Sequence, residues 1–176
     1  MRRLSILALG LLWSTVASAA TDVFVAIPGI PGSSTDMAFP NTIEPLSVDV
    51  SQFRVAEIGA VDAAGAPKLS ELKITKLVDT ASPLLFEASL VGAPLTSDTV
   101  ISFRRAGGVS GTSVPYLTLR LSRVLVTGYS LSTQGDDNPT ETVTLAYDSI
   151  CLAYQRFNSQ GNPQGSPVER CFTAGN

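Results

Sequence analysis

Few residues of this chain have the side chains and spacing that catalysis or metal binding requires. The sequence contains no histidine, which removes Ser-His-Asp and Cys-His catalysis and most zinc sites. The densest carboxylate cluster joins Asp136 and Asp137 to Glu141. Its glycine, asparagine and proline neighbours indicate a turn and its spacing fits no calcium loop, so we interpret it as a solvated loop. The glycines of residues 107–111 lack the lysine of a phosphate-binding loop and predict a hairpin turn. The sequence therefore predicts no catalytic residue, no metal site and no cofactor.

Cys151 and Cys171 are the only cysteines, and two chemistries are open to them. If both lie on strands, pairing them centres a hairpin turn on Gly161, and residues 158–163 have the composition of such a turn. A redox-active pair would favour a close Cys-x-x-Cys spacing, which is absent. We therefore predict a structural disulfide, worth about 3 kcal/mol in the chain-entropy model, formed in an oxidising compartment.

Residues 1–19 have the organisation of a secretory signal peptide. Arg2 and Arg3 form a basic start, residues 4–13 are apolar, and small residues precede a cleavage point at Ala19 or Ala20. The apolar stretch has about half the length needed to span a bilayer, so no stable membrane anchor is expected. The prediction is a mature domain over residues 20–176, located in the periplasm or outside the cell.

Composition and charge describe one globular domain with no nucleic-acid partner. The 176 residues are 44% apolar and 15% charged, which allows a single domain with a substantial core. The net charge is −3 and no run of lysine or arginine is present, which disfavours nucleic-acid binding. Arg104 and Arg105 must face opposite sides of a strand. With Arg120 and Arg123 they are interpreted as cross-strand ion pairs.

Apolar residues recur at every second position in short runs, which predicts β-strands. The runs begin at Val23, Ile43, Leu72, Val100, Leu117 and Val143. The alternation breaks at residues 124–126, which predicts a bulge or a strand buried on both faces. A second shift between Tyr147 and Ile150 predicts a bend, and such strands suit a closed or tightly curled barrel. The Gly- and Ala-rich residues 59–67 predict an exposed loop.

One segment has the residues that commonly begin and end a helix. Ser82 is expected to be the N-cap, Pro83 occupies the first helical position, and Gly92 follows the end. A single short helix in a β chain is interpreted as a structural plug or brace. We also assign to the core four aromatic residues, Phe86, Phe103, Tyr116 and Tyr147.

Six sequence blocks stand in an order found in one known family. They are residues 29–36 with 43–47, residues 74–83, residues 104–108, Tyr116 and Leu117, residues 124–126, and residues 141–145 with Tyr154. Together they resemble the haemolysin-coregulated protein (Hcp) family, which forms the inner tube of type VI secretion. The resemblance spans roughly residues 22–172, nearly the whole mature chain.

The resemblance implies an all-β fold with one short helix, a compact β-barrel of two packed antiparallel sheets. It also implies self-assembly into a hexameric ring, with rings stacked into a tube that carries effector proteins in its lumen. Three features depart from the family pattern: the signal peptide, the Cys151–Cys171 pair, and Val48 and Val50, where the family often has tryptophans. We therefore interpret the chain as an Hcp-like structural protein that works in the periplasm or beyond.

Two other functions remain as alternatives at this point. A monomeric binding module would keep the barrel and hold a partner or ligand with the loops of residues 32–40, 59–67 and 134–140. A hydrolytic toxin is less favoured, because without histidine it would need a carboxylate or a Ser-Lys pair as its catalytic group.

Overall fold

The computed structural model describes residues 21–56, 64–105, 114–135 and 137–174. The predicted signal peptide with Ala19 and Ala20, the glycines of residues 107–111, and Asp136 lie outside the described residues. Within the described part of the chain, eleven strands and one helix follow one another in this order: β1 Thr21–Ala26, β2 Ser47–Asp49, β3 Gln52–Ala56, β4 Ala64–Leu69, β5 Leu72–Leu77, α1 Ser82–Val91, β6 Thr99–Arg105, β7 Leu117–Ser122, β8 Leu125–Ser132, β9 Thr140–Ala146, β10 Ser149–Phe157 and β11 Pro163–Thr173.

The strands form two larger antiparallel sheets and one separate hairpin. The five-stranded sheet has the order β1-β6-β7-β10-β11, and the four-stranded sheet has the order β2-β5-β9-β8. Among the described strands, β3 and β4 pair only with each other. The predicted all-β fold of two antiparallel sheets with one short helix is confirmed.

The two sheets do not close into a barrel, so the expectation of a closed barrel is wrong. Strand β1 reaches the chain leading to β2 through a single bridge, in which Val25 and Ile43 exchange hydrogen bonds of 2.8 and 2.9 Å. The next bonded pair along this ladder would need an N–H from Pro45, which proline lacks. Strands β8 and β11 form the other edges and have no neighbour beyond them among the described strands.

The core lies between the facing sides of the two sheets, where alternation puts the apolar residues. Its fully buried members include Val25, Ile43, Leu72, Ile101, Leu121, Val124 and Leu145. The predicted break near residue 124 is real. Arg123 has a φ of 52°, and this turn of the backbone shifts the alternation by one residue, so Val124 and Val126 are buried as Leu121 is. A bulge follows between Val126 and Gly128. The bend after Tyr147 moves the chain from the four-stranded sheet to the five-stranded sheet.

The helix is present, but its N-cap differs from the prediction. Pro83 is in the first turn, and Gly92 ends the helix in the left-handed region with a φ of 65°. Ser82 is inside the helix and buried, and its hydroxyl faces the core side rather than capping. The Ala81 N–H, just before the first helical residue, instead donates to the Asp79 carboxylate at 2.8 Å. An aspartate side chain is short enough to accept a hydrogen bond from the backbone two residues further along the chain.

Two further segments differ from the expectation. Residues 64–67, predicted as loop, belong to strand β4, whereas residues 59–63 lie outside the described residues. The run from Ile43 to Val50 forms a strand only over Ser47–Asp49, because Pro45 interrupts the pairing. No helix among the described residues has both the length and the apolarity needed to cross a membrane.

Candidate interaction surface

Helix α1 is apolar on nearly all sides, although one side faces solvent. Leu85 is buried and Ala88 packs against the core. The outer side carries Leu84, Phe86, Leu90 and Val91, which are 37%, 51%, 71% and 66% exposed, with Glu87 as the single charged residue of the helix. Together these five residues are called the helix face. A helix that is apolar all round is normally covered on all sides, so this face lacks a partner within the described part of the chain.

The exposure of Phe86 corrects one sequence interpretation. Phe86 was expected in the core with three other aromatic residues, yet it is half exposed. Its ring meets the Tyr129 ring of β8 edge-on, with 5.5 Å between the ring centres. Tyr147 is buried, and Phe103 and Tyr116 are half-buried. Phe86 therefore anchors the helix to β8 with one edge and leaves the rest of its ring on the helix face.

A second apolar surface lies between the two sheets. Strand β2 has three residues, whereas β10 has nine and β11 has eleven, so this short edge strand does not cover all of the larger sheet's inner side. The resulting cleft has a volume of about 640 Å³. We call it the inter-sheet cleft; its lining residues are mostly apolar and include Val48, Val50, Phe103, Leu117, Leu152 and Phe172, with Arg170 as its charged member.

The two surfaces occupy opposite edges of the four-stranded sheet. Helix α1 packs against β8, which is one edge of this sheet. The inter-sheet cleft includes Val48 of β2, which is the other edge. The domain therefore presents a protruding apolar face at one edge and a recessed apolar face at the other.

The two cysteines lie directly opposite each other on β10 and β11. Their Cα atoms are 4.0 Å apart and a disulfide joins them. The turn between the strands contains Gly161, which has a φ of 79°, and Asn158 donates its N–H to the Asn162 carbonyl. Glu169 lies within 4.8 Å of both sulfurs, but sulfurs bonded to each other are not thiolate ligands, so this cluster is not a metal site.

Replacing both cysteines with serine is expected to lower the free energy of unfolding by about 3 kcal/mol, because the bond closes a loop of 20 residues in the unfolded chain. Urea unfolding with and without a reducing agent measures the change. The reductant should lower the midpoint of the wild-type protein and leave that of the double variant unchanged. An equal response of both proteins would contradict a stabilising disulfide.

A buried ionic cluster lies where helix α1 begins. Lys76 and Glu141 are each 1% exposed, and Lys76 Nζ lies 2.5 Å from Glu141 Oε1 and 2.7 Å from Asp79 Oδ1. The other Glu141 oxygen accepts the Tyr129 hydroxyl at 2.7 Å. Ser82 donates its hydroxyl to Glu141 at 2.9 Å. We call these five residues the buried ionic cluster.

Burial and the neighbouring Glu141 carboxylate raise the pKa of Tyr129 to about 12. Burial disfavours the phenolate and the carboxylate repels it, so Tyr129 remains a hydrogen-bond donor at neutral pH. Every charged member of the cluster is paired with a charge of opposite sign, so we interpret the cluster as structural. The expectation that Glu141 belongs to a solvated loop is therefore wrong, while Asp137 from the same predicted cluster is exposed.

Arg104 makes one cross-strand ion pair of the kind that alternation predicts and a second ion pair with a loop residue. It faces Asp22 across the β1–β6 ladder and lies 3.0 Å from its carboxylate. It also makes a two-pronged contact with Asp36, at 2.6 and 3.0 Å, and its guanidinium carbon lies 4.8 Å from the centre of the Phe24 ring. The hydrogen bond from Arg104 lowers the pKa of Asp36. Arg120 pairs with Glu169 across strands, whereas Arg123 pairs with Asp148 outside the strands. The expectation for Arg105 is wrong: it makes no ion pair with a described residue, and its guanidinium carbon lies 5.6 Å from the centre of the Tyr116 ring.

The three loops considered for ligand binding do not form one described site. Residues 32–40 are held to the segment before α1, where Ser33 and Thr80 hydroxyls lie 3.1 Å apart. Part of the loop of residues 59–67 and one residue of the loop 134–140 lie outside the described residues. The features that sequence reasoning missed are the helix face and the burial of Lys76 and Glu141.

Comparisons with known proteins agree with one family. A family model described as "Type VI secretion system effector, Hcp" matches residues 24–154. The protein Hcp1 of Pseudomonas aeruginosa is 31% identical over 153 residues, which cover 85% of this chain and 93% of that protein.

Solved structures share the fold. A structure described as that of a type six secretion system protein superposes with a TM-score of 0.79 at 23% identity, covering 88% of this chain and 96% of its own. Hcp1 from Salmonella typhimurium superposes with a TM-score of 0.68 at 25% identity, covering 88% and 94%. On the family match, the curated relative and the shared fold together, this chain belongs to the Hcp family of type VI secretion system effectors.

Proposed function

We propose that the mature domain is a structural subunit that assembles with copies of itself into a closed hexameric ring, and that it works outside the cytoplasm. The observation that supports self-assembly best is the helix face, which is too apolar to be left in water by a domain that works alone. A closed ring needs two different complementary surfaces on each subunit. The helix face and the inter-sheet cleft supply two such candidates.

Export is the second part of the proposal. Residues 1–19 have the sequence of a signal peptide with cleavage at Ala19 or Ala20. The disulfide between Cys151 and Cys171 suits an oxidising compartment. A subunit exported in this way reaches its working place separately from any cytoplasmic sheath. Its ring is proposed to hold effector proteins in a central channel, as the family resemblance implies, and no catalytic role is proposed.

The full chain, expressed in a bacterium, should appear in the periplasmic fraction or the medium with Ala20 or Thr21 as its first residue. Light scattering on the oxidised protein after size exclusion should give a mass six times that of the monomer. A clean monomer at high concentration would contradict assembly and favour the binding-module alternative. A cytoplasmic product that retains residues 1–19 would contradict export without touching assembly.

A further inference from the structure

The helix face and the inter-sheet cleft match in shape and apolarity. A ten-residue helix is about 15 Å long and presents its four apolar side chains as a ridge. The inter-sheet cleft holds about 640 Å³ and is lined mostly by apolar side chains. Leu152 and Val50, at its rim, are 46% and 40% exposed. Both surfaces lose unfavourable contact with water when one covers the other.

The charges on the two surfaces are also complementary. Glu87 is the only charged residue of helix α1, and Arg170 is the only charged residue among the described residues that line the inter-sheet cleft. Neither makes a salt bridge with another described residue; Arg170 donates only to the backbone carbonyl of its neighbour Glu169, at 2.7 Å. Arg170 stands directly opposite Leu152 in the β10–β11 register, so it lies on the same side of the sheet as the apolar lining.

The placement of the surfaces determines what kind of contact they can make. They lie at opposite edges of the four-stranded sheet, so the ridge of one molecule cannot enter its own cleft. A contact between unlike surfaces on successive copies is head-to-tail, and such a contact closes into a ring when its rotation permits. A second copy of this chain is therefore the occupant that the geometry favours.

We propose that the helix face of one subunit docks into the inter-sheet cleft of the next, with Glu87 paired to Arg170. This inference rests on the proposed self-assembly and assigns the residues that carry it. Leu90 and Val91 fill the recess beside Val50 and Leu152. The salt bridge at the rim sets the orientation of the two subunits, because a misplaced charge would remain unpaired in an apolar contact.

Two complementary variants test this directly. Leu90→Asp places a charge on the helix face and leaves the cleft unchanged, whereas Leu152→Asp places a charge in the cleft and leaves the helix face unchanged. Each variant alone is expected to be monomeric, with association weakened about thirtyfold or more per contact. An equimolar mixture should contain dimers, because the intact helix face of one variant enters the intact cleft of the other and the chain of contacts then stops. Light scattering and native mass spectrometry measure both states.

Matched controls separate docking from folding and from the proposed function. Met37 is 99% exposed and lies on neither surface, so Met37→Asp should keep the wild-type oligomer. Circular dichroism should show an unchanged fold in all three variants, and each should unfold cooperatively in urea; the midpoints of the two monomeric variants are compared with each other, because association itself raises the wild-type midpoint. Wild-type-like oligomers of Leu90→Asp or Leu152→Asp, or a mixture that stays monomeric, would overturn this docking mode while leaving self-assembly intact. A monomeric wild-type protein would overturn self-assembly itself.

The salt bridge is tested by exchanging its charges. Arg170→Glu places two carboxylates together and should weaken assembly about tenfold. Adding Glu87→Arg restores opposite charges and should recover the wild-type dissociation constant. A double variant as weak as Arg170→Glu alone would place Glu87 away from Arg170 and overturn the proposed orientation.

Discussion

Replacing Lys76 with methionine is expected to lower the free energy of unfolding by about 3 to 5 kcal/mol, measured by urea unfolding followed by circular dichroism. The variant keeps a side chain of similar length but removes the only cation that the described residues place within reach of the Asp79 and Glu141 carboxylates. Glu141 is 1% exposed and would retain only the hydrogen bonds from Tyr129 and Ser82. A buried carboxylate without a cation is unfavourable, because two neutral hydrogen bonds only partly replace its lost hydration.

Lys73 provides the matched control for this substitution. It lies on the same strand, β5, but its side chain is exposed, so Lys73→Met should change the free energy of unfolding by no more than about 0.5 kcal/mol. Adding Glu141→Leu to Lys76→Met removes the stranded carboxylate and should recover part of the loss. Equal effects of Lys76→Met and Lys73→Met would contradict a buried and energetically coupled ion pair.

The buried ionic cluster also bears on the proposed assembly. It connects β5, β8 and β9 to the start of helix α1 through Lys76, Tyr129, Glu141 and Ser82. The helix has little polar character to hold its orientation, since its single charged residue points outward. Directional hydrogen bonds to Ser82 therefore fix the rotation of the helix, and this rotation decides which apolar side chains form the helix face.

Much of the fold follows from local sequence patterns, because alternation has only one interpretation when one side of a strand is buried. The strands beginning near Val23, Val100 and Leu117 and the break at Val124 were predicted in this way. The closed barrel was wrong because closure depends on the pairing of distant edges. A single proline, Pro45, stops the ladder that joins β1 to the next sheet, and its effect is visible only when its partner strand is known.

The candidate surface was less predictable, although part of the signal was present. Lys76 lies an even number of residues from Leu72 and Ile74, and Glu141 lies an even number from Val143 and Leu145. Because side chains alternate along a strand, both charged residues must point to the buried side. The interpretation of Glu141 as a loop residue relied on its acidic neighbours and overlooked its place in the alternation of β9. The apolar outer side of α1 could also be identified from sequence, but whether it is covered depends on the positions of distant strands.

Gly32→Ala is expected to lower the free energy of unfolding by about 4 kcal/mol, near the upper end for a single substitution. The reason is space. An alanine Cβ at this position would lie 2.5 Å from the Thr42 carbonyl carbon and 2.6 Å from the Ile43 nitrogen, and it would also overlap the Thr42 carbonyl oxygen. These are backbone atoms, so no side chain can rotate away. Ile43 would have to move, and its N–H forms the 2.9 Å bond to Val25 that ties β1 to the chain leading to β2.

Gly29 separates this steric effect from the general preference of glycine for turns. It lies three residues earlier with a φ of 77° and open space around its Cβ position. Gly29→Ala should therefore lower the free energy of unfolding by only about 1 to 2 kcal/mol, from backbone strain alone. Thermal or urea unfolding of the two variants side by side measures the difference. If Gly32→Ala proves as mild as Gly29→Ala, the close approach of Gly32 to the Thr42 backbone is absent in solution.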